Sequence, residues 1–192
     1  MKKLLYTFLA ISVIFSACEK EEEEPTNNNN SGNNTNLAIG DTHQGGIIFY
    51  LDNSGRGLVA APSDQSNGAP WGCQGTSIPG AEAQAIGTGL QNTIDIEAGC
   101  TILYTAADIC ANLSLGGYND WFLPSRDEFE CMYWNIGLGD SLGLGNVGSF
   151  VESSYWTSSE WDAYSALHWL PNGTATDGAK YGPKNVRAVR SF

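Results

Sequence analysis

The sequence predicts an α+β domain: an antiparallel sheet and two short helices, linked by a long loop-rich region. Three observations carry this. Short β-rich runs, "GGIIFYLD" and "GLVAAP", open the stretch from residue 37 onward. Two helical patterns follow, "TAADICANLSLGG" and "SRDEFECMYWNIG". The end returns to strand-like pieces, "SSYWTSSEW", "SALHWLPNG" and "NVRAVRSF". Strands, then helices, then strands is the order of a fold whose helices are segregated from its sheet.

Ahead of that domain, residues 1–17 hold two lysines, a short apolar run and "FSAC", the layout of a secretory signal too short to stay in a membrane. Ser16 and Ala17 before Cys18 resemble a lipobox, which makes Cys18 the expected lipid anchor. Residues 18–36 then form an anchored acidic and Asn-rich tether with nothing apolar to bury. As a coil, a segment of this length reaches about 20–25 Å. Its acidic run, Glu21 to Glu24, resembles the export signal of surface-exposed Bacteroidota lipoproteins, so a surface-exposed outer-membrane location is expected. Residues 37–192 keep one composition throughout, which predicts a single domain.

Within the domain, Asn53, Ser54 and Gly55 separate the first two strand runs as a hairpin turn. The first run is apolar on both faces and is expected inside. Ala106, Ile109, Cys110 and Leu113 recur at helical spacing until Gly116 and Gly117 end the run. The second helix begins with a capping box, Ser125 followed three residues on by Glu128, and buries Phe129, Met132, Tyr133 and Ile136. The acids in "GGYNDWFLPSRDEFE" therefore read as helix-start grammar and not as a catalytic pair, with Asp127 favourable at the dipole's positive end.

Taken together, "GGIIFYLD", "APWGCQGT", "AIGTGLQNT", "GGYNDWFLPSRDEF", "YWTSSE" and "VRAVRSF" resemble the C-terminal domain family of the collagen-like (Lcl) proteins, formerly a domain of unknown function. The resemblance implies a C-type-lectin-like fold with paired first and last strands and two helices on the sheet. A few members of that family are adhesins for host glycosaminoglycans. This chain departs from the pattern in having no collagen repeat, and it lacks the Glu-Pro-Asn or Gln-Pro-Asp calcium loop of true C-type lectins. Calcium-dependent sugar binding is thus not implied.

Charge narrows the partners. Residues 37–192 carry sixteen Asp and Glu against six Lys and Arg, a net −10, which argues against nucleic acid and disfavours sulfated glycans. The membrane is expected as a partner through the lipid anchor alone. No nucleotide-binding loop, hydrolase elbow or zinc spacing occurs, so no cofactor, metal or catalytic residue is expected. His168 alternates with Ala166 and Leu170 and reads as structural. An oxidase of the formylglycine-generating type would need a cysteine pair late in the domain, and the last cysteine is Cys131.

Cys73 and Cys100 flank the loop-rich passage and are the expected disulfide, while the pairing of Cys110 with Cys131 stays open. Trp156, Trp161 and Trp169 gather with Glu160, Asp162 and Asn172 near the C-terminus. Flat rings beside hydrogen-bonding groups suit sugars, so these six are the expected ligand-binding residues. The resulting expectation is a non-enzymatic surface lipoprotein whose lectin-like domain binds a glycan or a surface protein. The alternative is a structural envelope component without a specific ligand.

Overall fold

The computed structural model describes residues 37–192, and the expected signal, anchor Cys18 and tether lie outside them. The described chain is α+β. Nine strands form β1 (Thr42–His43), β2 (Gly46–Leu51), β3 (Gly57–Ala60), β4 (Ser66–Ala69), β5 (Tyr155–Glu160), β6 (Ser165–Trp169), β7 (Ala175–Ala179), β8 (Lys184–Val186) and β9 (Val189–Ser191). Three helices lie between β4 and β5: α1 (Gly89–Gly99), α2 (Ala106–Ala111) and α3 (Arg126–Ile136).

The strands make two sheets, ordered β1-β2-β3-β9 and β4-β8-β5-β6-β7. This corrects the expectation of one antiparallel sheet, and the β5–β8 pair is parallel. The last strand pairs with β3 and not with the first, through Leu58↔Ser191, Val59↔Arg190 and Ala60↔Val189. The β2–β3 turn is held by Asp52, whose carboxylate accepts the N–H groups of Ser54 (2.8 Å) and Arg56 (2.9 Å). Gly55 adopts φ +81° there, a conformation a side chain would resist.

Alternation along β2 divides the core. Ile48 joins one buried cluster with Val59, Trp71, Trp121 and Trp156. Its neighbour Phe49 joins a second cluster with Phe129, Met132, Tyr155 and Trp169. A strand buried on both faces needs apolar residues at successive positions, which "IIFY" supplies.

Helix α3 starts as its sequence dictates. The Ser125 hydroxyl accepts from the Glu128 N–H (3.3 Å), and the Glu128 carboxylate accepts from the Ser125 N–H (2.8 Å). The same carboxylate also accepts the Gly87 N–H (2.8 Å) and lies at 3.4 Å from the Gly89 nitrogen at the start of α1. Glu128 thus ties two helix starts together from a fully buried position. Burial pushes its pKa up, while the N–H groups of Ser125, Gly87 and Gly89 oppose that rise. Ser125→Ala should cost about 0.5–2 kcal/mol, and Glu128→Ala should cost more because the α1 start also loses its acceptor. Because both share one cap, urea denaturation of the double variant should show less than the sum.

The fold hides charges elsewhere. Arg187 is fully buried and donates to Asp64 (2.8 Å) and to the carbonyls of Ala61 (3.0 Å) and Gly148 (2.6 Å), which pins the glycine-rich loop after α3. Arg190 takes both oxygens of Asp120, at 2.7 and 2.9 Å. Asp120 is therefore scaffold, as the capping acids are.

His168 is buried on β6 with its ring edge against Trp156, and its Nδ1 has no hydrogen-bond partner. Burial first, then the Lys184 charge, lowers its pKa from 6.5 to about 4, with Asp177 opposing. The unfolded chain therefore takes up a proton below pH 6.5 that the folded chain refuses until about pH 4. Stability conferred by neutral His168 is present above pH 6.5 and falls as pH drops toward 4, with a slope of at most about 1.4 kcal/mol per pH unit. Denaturation series between those limits should show this slope, and His168→Gln should flatten it.

Candidate functional site

The six expected ligand residues separate in space. Trp156 and Trp169 are buried, one in each core cluster. The Trp156 indole N–H is taken by the Ala69 carbonyl (3.0 Å). Glu160 is also buried: it pairs with Lys180 and accepts the Ile78 N–H (2.9 Å) and the Ser77 hydroxyl (3.1 Å). These three are corrected from ligand residues to core residues, because β5 and β6 are covered on both faces. Asn172 is exposed but lies past the far end of β6, where its side-chain oxygen accepts the N–H and hydroxyl of Thr174 in a turn. The five residues of β6, about 3.3 Å each, separate it from Trp161 and Asp162.

Trp161 and Asp162 remain at the β5–β6 turn. Asp162 Oδ1 accepts from the N–H groups of Tyr164 (2.7 Å) and Ser165 (2.7 Å) and from the Ser165 hydroxyl (2.9 Å). These bonds, the Tyr164 N–H first, hold its carboxyl below the usual carboxylate range. The turn they build presents Trp161 and Tyr164 to solvent. Trp161, Tyr164 and Tyr181 are 60–71 % exposed, an unusual state for rings of this size.

Backbone hydrogen bonds tie the segments that carry these rings to one another. The Tyr164 carbonyl accepts the Lys180 N–H (3.0 Å), so Tyr164 and Tyr181 flank the same residue. The Lys180 carbonyl accepts the Trp71 N–H (2.8 Å), and the adjacent Pro70 carbonyl accepts the Ala106 N–H (2.9 Å), two residues beyond exposed Tyr104. Gly75 donates to the Ala163 carbonyl (2.8 Å), and a Cβ at Gly75 would lie 3.7 Å from the Tyr164 ring. Sequence reading missed Tyr104 and Tyr181, which sit in loops with no motif. Their signal is exposure.

Beneath this face lies a rigid floor. Lys180 is fully buried, with Nζ donating to the Thr76 carbonyl (2.8 Å) and to Glu160, and it sits 4.6 Å from the Trp71 ring centre. The expected Cys73–Cys100 disulfide is formed and joins this floor to the end of α1. Cys110 is a buried free thiol, so the Cys110–Cys131 pairing is not made. Beside Tyr104, Asp108 accepts the Tyr104 N–H (2.6 Å). Its neighbour Glu97 has a raised pKa, from burial first and then from the Asp108 charge.

No family model matches the chain. Over 144 residues it is 27% identical to the xyloglucan-specific endo-β-1,4-glucanase A of Aspergillus niger, covering 67% of this chain and 57% of that enzyme. The chain thus spans little more than half the length of the curated relative it matches. The similarity is to a carbohydrate-active protein, and it overturns the expectation that the chain is not an enzyme. Among the described residues no helix is long and apolar enough to cross a membrane.

Proposed function

We propose that the domain recognises a neutral, β-linked glucan through Trp161, Tyr164, Tyr181 and Tyr104. The observation that carries this is the exposure of four aromatic rings on segments that backbone hydrogen bonds tie together, next to a disulfide and a buried ion pair. Sugar rings are apolar on one face and hydroxylated at the rim, so they stack on aromatic side chains while polar groups take the hydroxyls. Asp162, next to Trp161 in the chain, keeps its Oδ2 out of the turn's hydrogen bonds and offers a charged acceptor. The domain's net −10 favours an uncharged ligand. Similarity to a xyloglucan-specific glucanase supports the glucan class. Cys18 with its acidic tether supports a surface lipoprotein setting.

Affinity electrophoresis tests the ligand class. The protein should be retarded in gels containing xyloglucan, with or without a chelator, and should run freely through a sulfated glycan. Retardation by the sulfated glycan alone, or by neither, contradicts the reading.

The glucanase similarity supports a second reading, in which the bound chain is also cut. A carboxyl with a raised pKa suits the general acid of glycoside hydrolysis. Glu97 would protonate the leaving oxygen, and Asp108 would take the proton of the water that adds to the anomeric carbon. New reducing ends from xyloglucan, lost in Glu97→Gln, are the expected result of this reading. Wild-type protein that releases none removes it.

A further inference from the structure

Asparagine followed by glycine occurs at two places in the chain, Asn67-Gly68 and Asn172-Gly173. The pair is chemically labile, because glycine has no Cβ to keep its amide nitrogen away from the preceding side chain. Attack of that nitrogen on the asparagine Cγ forms a C–N bond, breaks the bond to the side-chain nitrogen and releases ammonia. Water then opens the cyclic imide at either carbonyl, leaving an aspartate or an isoaspartate. No other reactant is needed.

The fold treats the two pairs differently. Asn67 and Gly68 are exposed on β4, an edge strand of the second sheet. Ser66 pairs with Val186 and Ala69 with Lys184, so β4 carries one more residue than β8 between these points and is irregular there. Within the described residues no hydrogen bond holds the Asn67 side chain. The Gly68 N–H donates to the Ser66 hydroxyl (3.1 Å), which can pass a proton on to water. A Cβ built on Gly68 would meet Pro183 at 3.7 Å and nothing closer, so the imide ring has room.

At Asn172 the reacting groups are already engaged. Its Oδ1 accepts the N–H (3.2 Å) and the hydroxyl (2.8 Å) of Thr174, and the Gly173 N–H donates to the Leu170 carbonyl (3.1 Å). The bonds to Thr174 hold the amide against rotation, and a peptide carbonyl cannot take away the proton that the nitrogen must lose.

We propose that Asn67 is a site of spontaneous deamidation, and that the turn at Asn172 protects its own asparagine. The product carries a carboxylate, ionised at neutral pH, which adds one negative charge to the net −10 of residues 37–192. The isoaspartate form also adds a methylene to the main chain between Ser66 and Ala69, two residues whose places are set by pairing with β8. That form alone should unfold earlier. This inference stands independently of the glycan reading.

Ageing the purified protein at mildly alkaline pH, followed by mass-spectrometric peptide mapping and enzymatic methylation of isoaspartate, tests it. In the folded protein the peptide with Asn67 should deamidate at least an order of magnitude faster than the peptide with Asn172. In urea the two rates should converge, since only the local chemistry then acts. Gly68→Ala, which has space for its Cβ, should keep the unfolding midpoint and slow the loss at Asn67 by an order of magnitude. Asn67→Asp should keep the wild-type midpoint, whereas aged protein rich in isoaspartate should fall below it. Equal rates in the folded protein, faster loss at Asn172, a selectivity that persists in urea, or an Asn67 that stays intact when folded overturns the proposal.

Discussion

Lys180→Met should destabilise the domain by about 3–5 kcal/mol, the range for breaking a buried ion pair from one side. Lys180 and Glu160 are both buried, and the Glu160 carboxylate has the Ile78 N–H and the Ser77 hydroxyl as its remaining partners once the ammonium is gone. The Thr76 carbonyl loses its donor as well. At a rough 2–4 °C per kcal/mol for a chain of this size, the unfolding midpoint should drop by about 6–20 °C. Removing the second charge should recover part of the loss, because an amide at position 160 can still accept the Ile78 N–H. Thermal denaturation of Lys180→Met beside Lys180→Met/Glu160→Gln separates the two effects. A single variant as stable as wild type would show that the pair contributes nothing.

Replacing both Cys73 and Cys100 by alanine should cost about 3–4 kcal/mol on the loop-closure argument, since the bridge closes a sequence separation of 27. The enclosed segment is mostly turns from Cys73 to Gly87, so it has little regular structure of its own to resist opening. The loss should appear in urea denaturation as a lower midpoint. Affinity for glycan should weaken too, because Trp71 and Gly75 hold the floor under Tyr164 and Tyr181. An unchanged midpoint would mean that packing alone closes the loop.

The parts of the fold visible in the sequence are those where local chemistry and tertiary role agree. Ser125 and Glu128 cap α3 because a hydroxyl and a carboxylate three residues apart satisfy the free N–H groups wherever the helix lies. The β2–β3 hairpin is equally local, fixed by Asp52 and Gly55. Helix α1 failed the same test. Only Ile96 of its side chains is apolar and buried, the rest of the buried face being Gly89, Asn92 and Thr93, so periodicity gave no signal of a core-facing stripe and the segment looked like loop.

At the candidate site, proximity in sequence misled. Trp156, Glu160 and Trp161 lie within six residues, yet the first two belong to a strand covered on both faces and the third to the turn beyond it. Nothing in the sequence marks where a strand buried on both sides ends. The burial of Lys180 and Arg187 was equally hidden, because each depends on partners more than a hundred residues away: Thr76 for the lysine, Ala61 and Asp64 for the arginine. The segments of Tyr104 and Tyr181 are joined through Ala106 bonding Pro70 and Lys180 bonding Trp71, pairings that only the folded chain reveals.

Isothermal titration of a neutral xyloglucan oligosaccharide into wild type, Trp161→Ala and Tyr164→Ala, with unfolding midpoints measured on the same samples, tests the glycan face most directly. Both rings are exposed, so the variants should keep the wild-type midpoint. Each should weaken binding about ten-fold or more, equivalent to ~1.4 kcal/mol, as expected for an anchor ring in a small interface. Wild-type affinity in both variants would contradict the account. It would move the site elsewhere, with the groove of about 480 Å³ between Tyr50, Arg56, Ile86 and Phe192 as the next surface to probe.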